Sequence, residues 1–309
     1  YALAHGVNFW DTAEMYPSPP DKDKQGNTER FMGSWFAKTG KRNDVVLASK
    51  ISRNDFLRDG NTKFDKKTIR AALDSNLQRL QTDHIDIYQL HWPERQTNFF
   101  GQRGYTESMA QQNTKELTPF LETIEALNDE ITKGRIRAYG LSNDTPWGVM
   151  RYLAEADKHG LARPITIQNP YSLLNRLYEV GLAEISHREQ IGLLAYSPLA
   201  FGVLSGKYLG GNKPANSRLS LYSHFTRYLN EQAQQATKAY AEVAKKHHLD
   251  MAQMALAFVN SRSFVTANII GATTIEQLAS NIASVDLVLS PEVLAGIEAV
   301  QTLHPNPAP

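Results

Sequence analysis

Cysteine is absent from the chain, and its absence narrows the possible chemistry. Without a thiol, the protein forms no disulfide, offers no thiolate to a metal and has no cysteine nucleophile. The composition fits a reducing compartment, so we expect a cytoplasmic protein. No apolar run approaches the roughly 18 residues of a membrane span, so we expect no membrane partner.

An excess of charge of one sign is also absent. Lys and Arg number 33 against 32 for Asp and Glu, which leaves a formal net charge of +1. The sequence has no basic run and no basic stripe with interleaved aromatic residues, so nucleic acid is not an expected partner. We predict no metal site, and no pattern in the sequence indicates an oligomeric state.

Strand-like and helical segments alternate from one end of the chain to the other. Such alternation is typical of a parallel sheet with crossover helices. The segments that read as strands are Val7–Asp11, Val45–Lys50, Ile85–His91, Ile136–Ser142, Ile165–Asn169, Ile191–Ser197 and Val265–Gly271. Apolar residues at helical spacing predict helices at Glu29–Lys38, Lys66–Leu80, Glu116–Lys133, Pro146–His159, Leu174–His187, Glu231–His247, Thr274–Ala283 and Pro291–Val300.

These segments fit one barrel domain. A length of 309 residues is ordinary for an α/β barrel, and no linker or repeat divides the chain, so we predict a single domain over residues 1–309. Seven strands are one short of the usual eight. Tyr1–His5 reads as the last turn of a helix that Gly6 ends, so we expect the first strand to precede Tyr1. The predicted fold is a (β/α)8 TIM barrel whose first strand is missing from the N-terminus of this chain.

Titratable residues stand at the ends of three consecutive predicted strands. Asp11 closes the first strand, and Tyr16 follows it by five residues; Lys50 and His91 close the next two. Because carboxyl ends of parallel strands meet at one rim of a barrel, these side chains are expected to converge. Three long connections also follow strands and are expected to act there as lids or binding loops: Ser52–Asp65, Pro93–Lys115 and Leu209–Leu229.

Together these residue types suit the reduction of a carbonyl group. A phenol has a pKa of about 10, and an adjacent ammonium lowers that pKa, so Lys50 could make Tyr16 a usable acid. Asp11 is placed to keep Lys50 charged. His91 could hydrogen-bond the carbonyl oxygen and stabilise the charge that develops on it.

Each residue also has an ordinary structural explanation when taken alone. Asp11 could cap the next segment, Tyr16 could be a half-buried aromatic, Lys50 could be solvated and His91 could be a hydrogen-bonded histidine of the rim. Trp92 could form a substrate wall or simply pack at the rim. The joint occurrence at three neighbouring strand ends favours the catalytic interpretation.

The pattern resembles the aldo-keto reductases. Asp11, Tyr16, Lys50 and His91 match the catalytic tetrad of that family, and the residues Gly6, Asp11-Thr12-Ala13, Glu29 and Gly33 match its first signature. The segments Trp10–Pro17, Ile167–Arg176 and Met254–Val259 are most similar to the bacterial Tas branch of the family. The resemblance implies an eight-stranded α/β barrel that transfers a hydride from NADPH to aldehydes or ketones, with no need of a Gly-x-Gly-x-x-Gly turn.

The same resemblance implies where NADP(H) would bind. Ser142, Asn143 and Gln168 match contacts to the nicotinamide carboxamide, and Tyr196 matches the aromatic residue that stacks on the nicotinamide ring. The remaining matches are to the pyrophosphate and adenosine contacts: Ser197, Pro198, Leu199, Gly271, Ala272, Thr273, Gln277 and Asn281. Ser142, Ser197 and Thr273 alone would be ordinary turn residues.

Lys207 and Arg218 match family positions that contact the phosphates of NADP, which would favour NADPH over NADH. The alternative is a pair of solvated loop charges. Ser280 departs from the family pattern, because many relatives have an acidic residue near the adenine at that position.

We therefore predict an NADPH-dependent reductase of a small carbonyl compound. In this hypothesis Tyr16 donates the proton, Lys50 and Asp11 tune Tyr16, and His91 positions the carbonyl oxygen. One alternative is a nicotinamide-binding regulatory protein with little turnover, since the family includes subunits of channels. A second is a barrel isomerase or aldolase that forms a Schiff base on Lys50.

Overall fold

The computed structural model describes residues 1–53, 58–102, 104–112 and 117–309. Contacts between residues divide the chain into two compact units. The N-terminal unit comprises Gly6–Thr97 and Tyr105–Gln168, and the C-terminal unit comprises Tyr1–His5, Asn98–Gly104 and Asn169–Pro309. The assignment of residues 1–309 to a single domain stays a prediction.

Parallel strands form the framework of the N-terminal unit. The strands are β1 (Phe9–Asp11), β2 (Val46–Ile51), β3 (Ile85–Leu90), β4 (Ile136–Ser142) and β5 (Thr166–Pro170), whose last two residues belong to the C-terminal unit. They pair in sequence order, each parallel to the next. Almost every residue of β2 and β3 is buried, as expected for strands covered on both faces.

The C-terminal unit contains a second parallel pair, β6 (Gly192–Tyr196) and β7 (Val265–Asn268). All seven predicted strands are therefore present, and each begins and ends within three residues of its predicted bounds. The α/β class predicted from the alternation of segments is confirmed.

Helices follow the strands in both units. Those of the N-terminal unit are α1 (Asn27–Thr39), α2 (Lys66–Leu80), α3 (Glu107–Gln112), α4 (Phe120–Thr132) and α5 (Pro146–His159). Those of the C-terminal unit are α6 (Leu182–Glu189), α7 (Arg218–Leu221), α8 (Glu231–Lys246), α9 (Met251–Asn260), α10 (Ile275–Ala283) and α11 (Pro291–Leu303). The short helices α3 and α7 lie inside segments predicted as long loops.

Local sequence explains the helix bounds that were predicted correctly. Asp65 caps α2 by accepting a hydrogen bond from the backbone N–H of Thr68 at 2.8 Å. Thr145 caps α5 in the same way, and Pro146 stands in the first turn, where its missing N–H costs nothing. Gly160 ends α5 in the left-handed conformation.

The prediction of one continuous helix over Leu174–His187 was wrong. The structure has a 3-10 turn at Leu177–Val180, a break at Gly181 and then α6. The Asn175 side chain accepts from the Leu177 N–H, Asn306 accepts from the Arg176 N–H, and the backbone of Gly181 (φ −155°, ψ −38°) departs from the helical conformation. The apolar spacing of the segment did not reveal these bonds.

Sequence reasoning also missed α9. Nearly all of its residues from Met251 to Val259 are buried, so the helix lacks the polar face that creates a helical periodicity. The predicted start of α4, Glu116, lies outside the described residues, as do parts of the predicted loops Ser52–Asp65 and Pro93–Lys115. Within the described ranges, no helix is both long enough and apolar enough to cross a membrane.

Candidate active site

Register places three polar side chains on one face of the sheet in the N-terminal unit. Asp11 pairs with Ala48, which lies two residues before Lys50 on β2, and Lys50 pairs with Gln89 on β3. Because side chains alternate along a strand, Asp11, Lys50 and Gln89 point to the same side. His91 follows β3 directly, and its N–H donates to the Ile51 carbonyl.

Lys50 is fully buried, and its ammonium contacts Asp11 and Thr12. Its Nζ lies 2.5 Å from Oδ2 of Asp11 and donates to the Thr12 carbonyl at 2.8 Å. Burial alone would lower the pKa of the ammonium, but the Asp11 carboxylate and the Tyr16 phenol outweigh that effect and raise the pKa above its usual value. Lys50 is therefore charged near neutral pH, and its complete burial excludes its description as a solvated lysine.

Tyr16 lies against both Lys50 and His91. Its hydroxyl is hydrogen-bonded to the Lys50 ammonium, and Lys50 Nζ lies 5.0 Å from the centre of the Tyr16 ring. The His91 ring meets the Tyr16 ring edge to face at 5.7 Å. Tyr16 and the partly buried Trp92 both pack against the buried side chains of Ala13 and Met15.

His91 is buried and fixed through one ring nitrogen. Its Nδ1 is hydrogen-bonded to Ser52 Oγ at 2.7 Å. Burial lowers the pKa of the imidazole well below its ordinary value, and the Lys50 charge lowers it further. His91 is therefore neutral near pH 7, and Ser52 fixes the orientation of its ring.

An ion pair between Glu14 and Arg58 contacts the backbone of Ser52 and was not predicted from the sequence. Glu14 accepts the Ser52 N–H at 2.5 Å and binds Arg58 through both carboxylate oxygens, at 2.9 and 2.7 Å. Burial raises the pKa of the Glu14 carboxyl, although Arg58 and the Ser52 N–H oppose the shift. The spacing of Glu14 beside the strand end gave no signal, because its partner Arg58 lies in a loop.

Asp11 is also held on the side away from Lys50. Its Oδ1 accepts from Nε2 of Gln168 at 2.8 Å and from Nε2 of Gln89 at 3.1 Å. Among the described residues, the Asp11 carboxylate therefore bonds Lys50, Gln89 and Gln168 and caps no segment after β1. Gln89 was not among the predicted site residues. The alternation of side chains along β3 places Gln89 on the same face as Lys50 and could have identified it.

The family signature residues Glu29 and Gly33 have a structural role. Glu29 is completely buried and accepts from Ser49 Oγ at 2.6 Å, Asn76 Nδ2 at 2.5 Å and Arg79 Nε at 2.7 Å. A side chain at position 33 would place its Cβ 2.3 Å from the Arg79 carbonyl oxygen, so α1 and α2 can pack this closely only with glycine there. These contacts hold β2, the strand that carries Lys50, against α1 and α2.

Three predicted cofactor residues lie in the N-terminal unit with the tetrad. Ser142 Oγ donates to the Gln168 carbonyl at 2.8 Å, and Asn143 Nδ2 donates to the His91 carbonyl at 2.8 Å. Within the described part of the chain, Gln168 Oε1 accepts no hydrogen bond, while both of its N–H groups are used. An open amide oxygen fits an N–H of the nicotinamide carboxamide.

The other predicted cofactor residues lie in the C-terminal unit. The strand β6 ends at Tyr196, whose hydroxyl is hydrogen-bonded to Arg227, and Ser197 follows with a left-handed backbone (φ 55°). Pro198 is buried and Leu199 is half-buried in the same turn; the Leu199 carbonyl accepts the Gly202 N–H at 2.8 Å.

Two cations follow that turn. The Lys207 amine lies 5.3 Å from the centre of the Tyr208 ring and pairs with no carboxylate among the described residues. The exposed Arg218 has its guanidinium 4.6 Å from the Phe201 ring and 5.0 Å from the Phe225 ring. Lys207 is suited to binding a phosphate, because it has no carboxylate partner among the described residues. Arg218 is held by its contacts with two aromatic rings.

The last predicted group precedes and begins α10. Gly271, Ala272 and Thr273 are exposed, and the Gln277 side chain accepts from the N–H and the hydroxyl of Thr273, each at 3.1 Å. Asn281 lies half-buried further along the helix. The described residues contain no group of three or more histidine or acidic side chains that could hold a metal ion.

The chain is similar to known proteins over nearly its whole length. The model of the aldo/keto reductase family matches residues 1–302. Protein tas of Escherichia coli (strain K12) is 52% identical over 313 residues, which cover 100% of this chain and 89% of that protein. The uncharacterized oxidoreductase YrpG of Bacillus subtilis (strain 168) is 33% identical over 95% of this chain and 82% of its own length.

A further relative is named as a channel subunit and not as an oxidoreductase. The probable voltage-gated potassium channel subunit beta of Oryza sativa subsp. japonica is 30% identical over 97% of this chain and 85% of its own length. The resemblance predicted from the tetrad and from the Tas-like segments is confirmed by these matches. The chain belongs to the aldo/keto reductase family, and its fold class is that family's (β/α)8 barrel.

Proposed function

We propose that the protein reduces an aldehyde or ketone to an alcohol with NADPH as cofactor. The observation that supports this most directly is the buried Lys50 ammonium, which binds Asp11 on one side and the Tyr16 hydroxyl on the other. A phenol bonded to a fixed cation is suited to give up its proton, because the cation stabilises the phenolate that remains.

Each member of the tetrad then has one task. A bound NADPH would supply the hydride that the carbonyl carbon receives. Tyr16 gives its hydroxyl proton to the carbonyl oxygen and is reprotonated afterwards from solvent. Neutral His91, with its ring fixed by Ser52, donates a hydrogen bond from Nε2 to the same oxygen when Nδ1 accepts from the Ser52 hydroxyl. Asp11 keeps Lys50 charged throughout.

The charge on Lys50 disfavours the Schiff-base alternative. A Schiff base needs a neutral amine as nucleophile, and the contacts to Asp11 raise the pKa of Lys50 instead. Borohydride should therefore trap no carbonyl compound on Lys50.

A nicotinamide-binding regulatory protein is the second candidate, favoured by the similarity to a protein named as a probable channel subunit. A panel of aldehydes and ketones with NADPH separates the two hypotheses. We expect NADPH consumption matched by an equal amount of alcohol. Cofactor binding without any alcohol across the panel would favour the regulatory candidate.

A further inference from the structure

Gln89 is a buried amide that the tetrad does not include. It lies on β3 opposite Lys50, is fully buried and reaches two groups of the site. Its Nε2 donates to Asp11 Oδ1 at 3.1 Å, and its Oε1 accepts from Nε2 of Gln168 at 3.3 Å. Gln89 therefore contacts both the residue that holds Lys50 and a residue predicted to bind the cofactor.

The Asp11 carboxylate determines which way the amide groups of Gln89 and Gln168 point. An ionised carboxylate only accepts hydrogen bonds, so each amide that meets Asp11 Oδ1 must present its NH2 group. Gln168 gives one N–H to Asp11 and the other to Gln89, which leaves only its Oε1 for a ligand. Asp11 in turn gives Oδ1 to the two amides and Oδ2 to Lys50.

We propose that Gln89 is a positioning residue, which orients Gln168 so that the Gln168 side chain offers a bound nicotinamide carboxamide an acceptor and no donor. The same contact holds Asp11 with its second oxygen toward Lys50, so cofactor recognition and the proton-donating group share one hydrogen-bonded network. This inference rests on the proposed function, because it assumes that Gln168 meets the carboxamide of the nicotinamide.

The test compares the affinity of the full-length protein for NADPH with its affinity for the reduced 3-acetylpyridine analogue, in which an acetyl group replaces the carboxamide and removes its N–H. Dissociation constants come from fluorescence titration. The unsubstituted protein should prefer NADPH by about three- to tenfold, the range expected for one hydrogen bond between neutral groups. In Gln89→Leu that ratio should fall toward one, because the Gln168 amide then keeps only its bond to Asp11 and can rotate about it.

Thr166→Val is the matched control. Thr166 is also buried in the N-terminal unit, and its hydroxyl has no hydrogen-bond partner among the described residues, so valine removes no contact to the site. This variant should keep the ratio of the two dissociation constants. If Gln89→Leu weakens the binding of both cofactors equally, so that the ratio is unchanged, Gln89 fills space only and the inference is wrong.

Gln89→Glu keeps the test decisive if the leucine variant does not fold. The introduced carboxyl can donate to Asp11 only while it is protonated, and burial beside the Asp11 carboxylate raises its pKa. The kcat of this variant, divided by that of the unsubstituted protein, should therefore fall as the pH rises from about 5 to about 9. A ratio independent of pH would contradict the inference. Absence of alcohol formation by the unsubstituted protein would instead contradict the proposed function.

Discussion

Lys50 Nζ and Asp11 Oδ2 lie 2.5 Å apart, and almost no solvent reaches either group. A buried charge without a partner is costly, so the two residues depend on each other. The ammonium that remains charged in this setting also carries the hydrogen bond to Tyr16. Stability and chemistry are therefore linked at one ion pair.

Asp11→Asn should test that link. The substitution keeps the size of the side chain but leaves the Lys50 charge unpaired, and breaking one partner of a buried pair costs about 3–5 kcal/mol. We expect that loss in the free energy of unfolding, measured with urea, together with a large loss of kcat. The control is Asp21→Asn, which breaks an exposed pair with Lys24 and should leave the urea midpoint unchanged. Equal midpoints for both variants would contradict the account.

Gly33→Ala should destabilise the protein without changing its chemistry. The added Cβ would lie 2.3 Å from the Arg79 carbonyl oxygen, so α1 must move away from α2. Overpacking of this kind costs about 1–3 kcal/mol. Gly104→Ala is the control, because its Cβ would meet no atom of the described residues within 4 Å. A loss of kcat in folded Gly33→Ala without a loss of stability would show that the signature glycine acts in catalysis.

The pH dependence of stability should report on His91. Its pKa is lowered well below 6.5 in the folded state, so the unfolded chain takes up a proton that the folded protein refuses. This stabilising contribution is full above pH 6.5 and decreases as the pH falls below that value. In His91→Gln the slope of unfolding free energy against pH should be smaller below this value, by up to about 1.4 kcal/mol per pH unit. An unchanged slope would mean that His91 gains a proton in the folded protein.

Lys207→Ala should weaken the binding of NADPH more than that of NADH. The amine has no carboxylate partner among the described residues, and a hydrogen bond from a cation to a phosphate is worth about 1.5–3 kcal/mol. We expect the dissociation constant for NADPH to rise about tenfold or more, measured by fluorescence titration. Lys213→Ala, at an exposed position of the same segment, is the control. Equal effects of Lys207→Ala on both cofactors would contradict a contact with the additional phosphate.

The strands and the convergence of Asp11, Lys50 and His91 could be predicted from the sequence because they depend on local order. Asp11, Lys50 and His91 stand at the ends of apolar runs, and parallel pairing of neighbouring strands brings such ends together. The helices α2 and α5 were predicted with correct bounds because caps and apolar spacing agree there.

The contacts around the tetrad could not be predicted in this way. Gln168 meets Asp11 across 157 positions of sequence, and only the register of the strands determines which side chains face each other. The Glu14–Arg58 pair depends on the path of a long loop. Burial on all sides removed the periodic signal of α9, and the non-helical backbone at Gly181 interrupts the helix predicted over Leu174–His187.

Tyr16→Phe tests the central claim most directly, because it removes only the hydroxyl that Lys50 binds. The measurement is kcat for the best carbonyl compound of the panel, alongside the dissociation constant for NADPH, with Tyr1→Phe as the control at an exposed position. The account predicts a loss of kcat of about a hundredfold or more for Tyr16→Phe, with NADPH affinity unchanged and with full activity in the control. Undiminished kcat in Tyr16→Phe would contradict the role of Tyr16 as the acid.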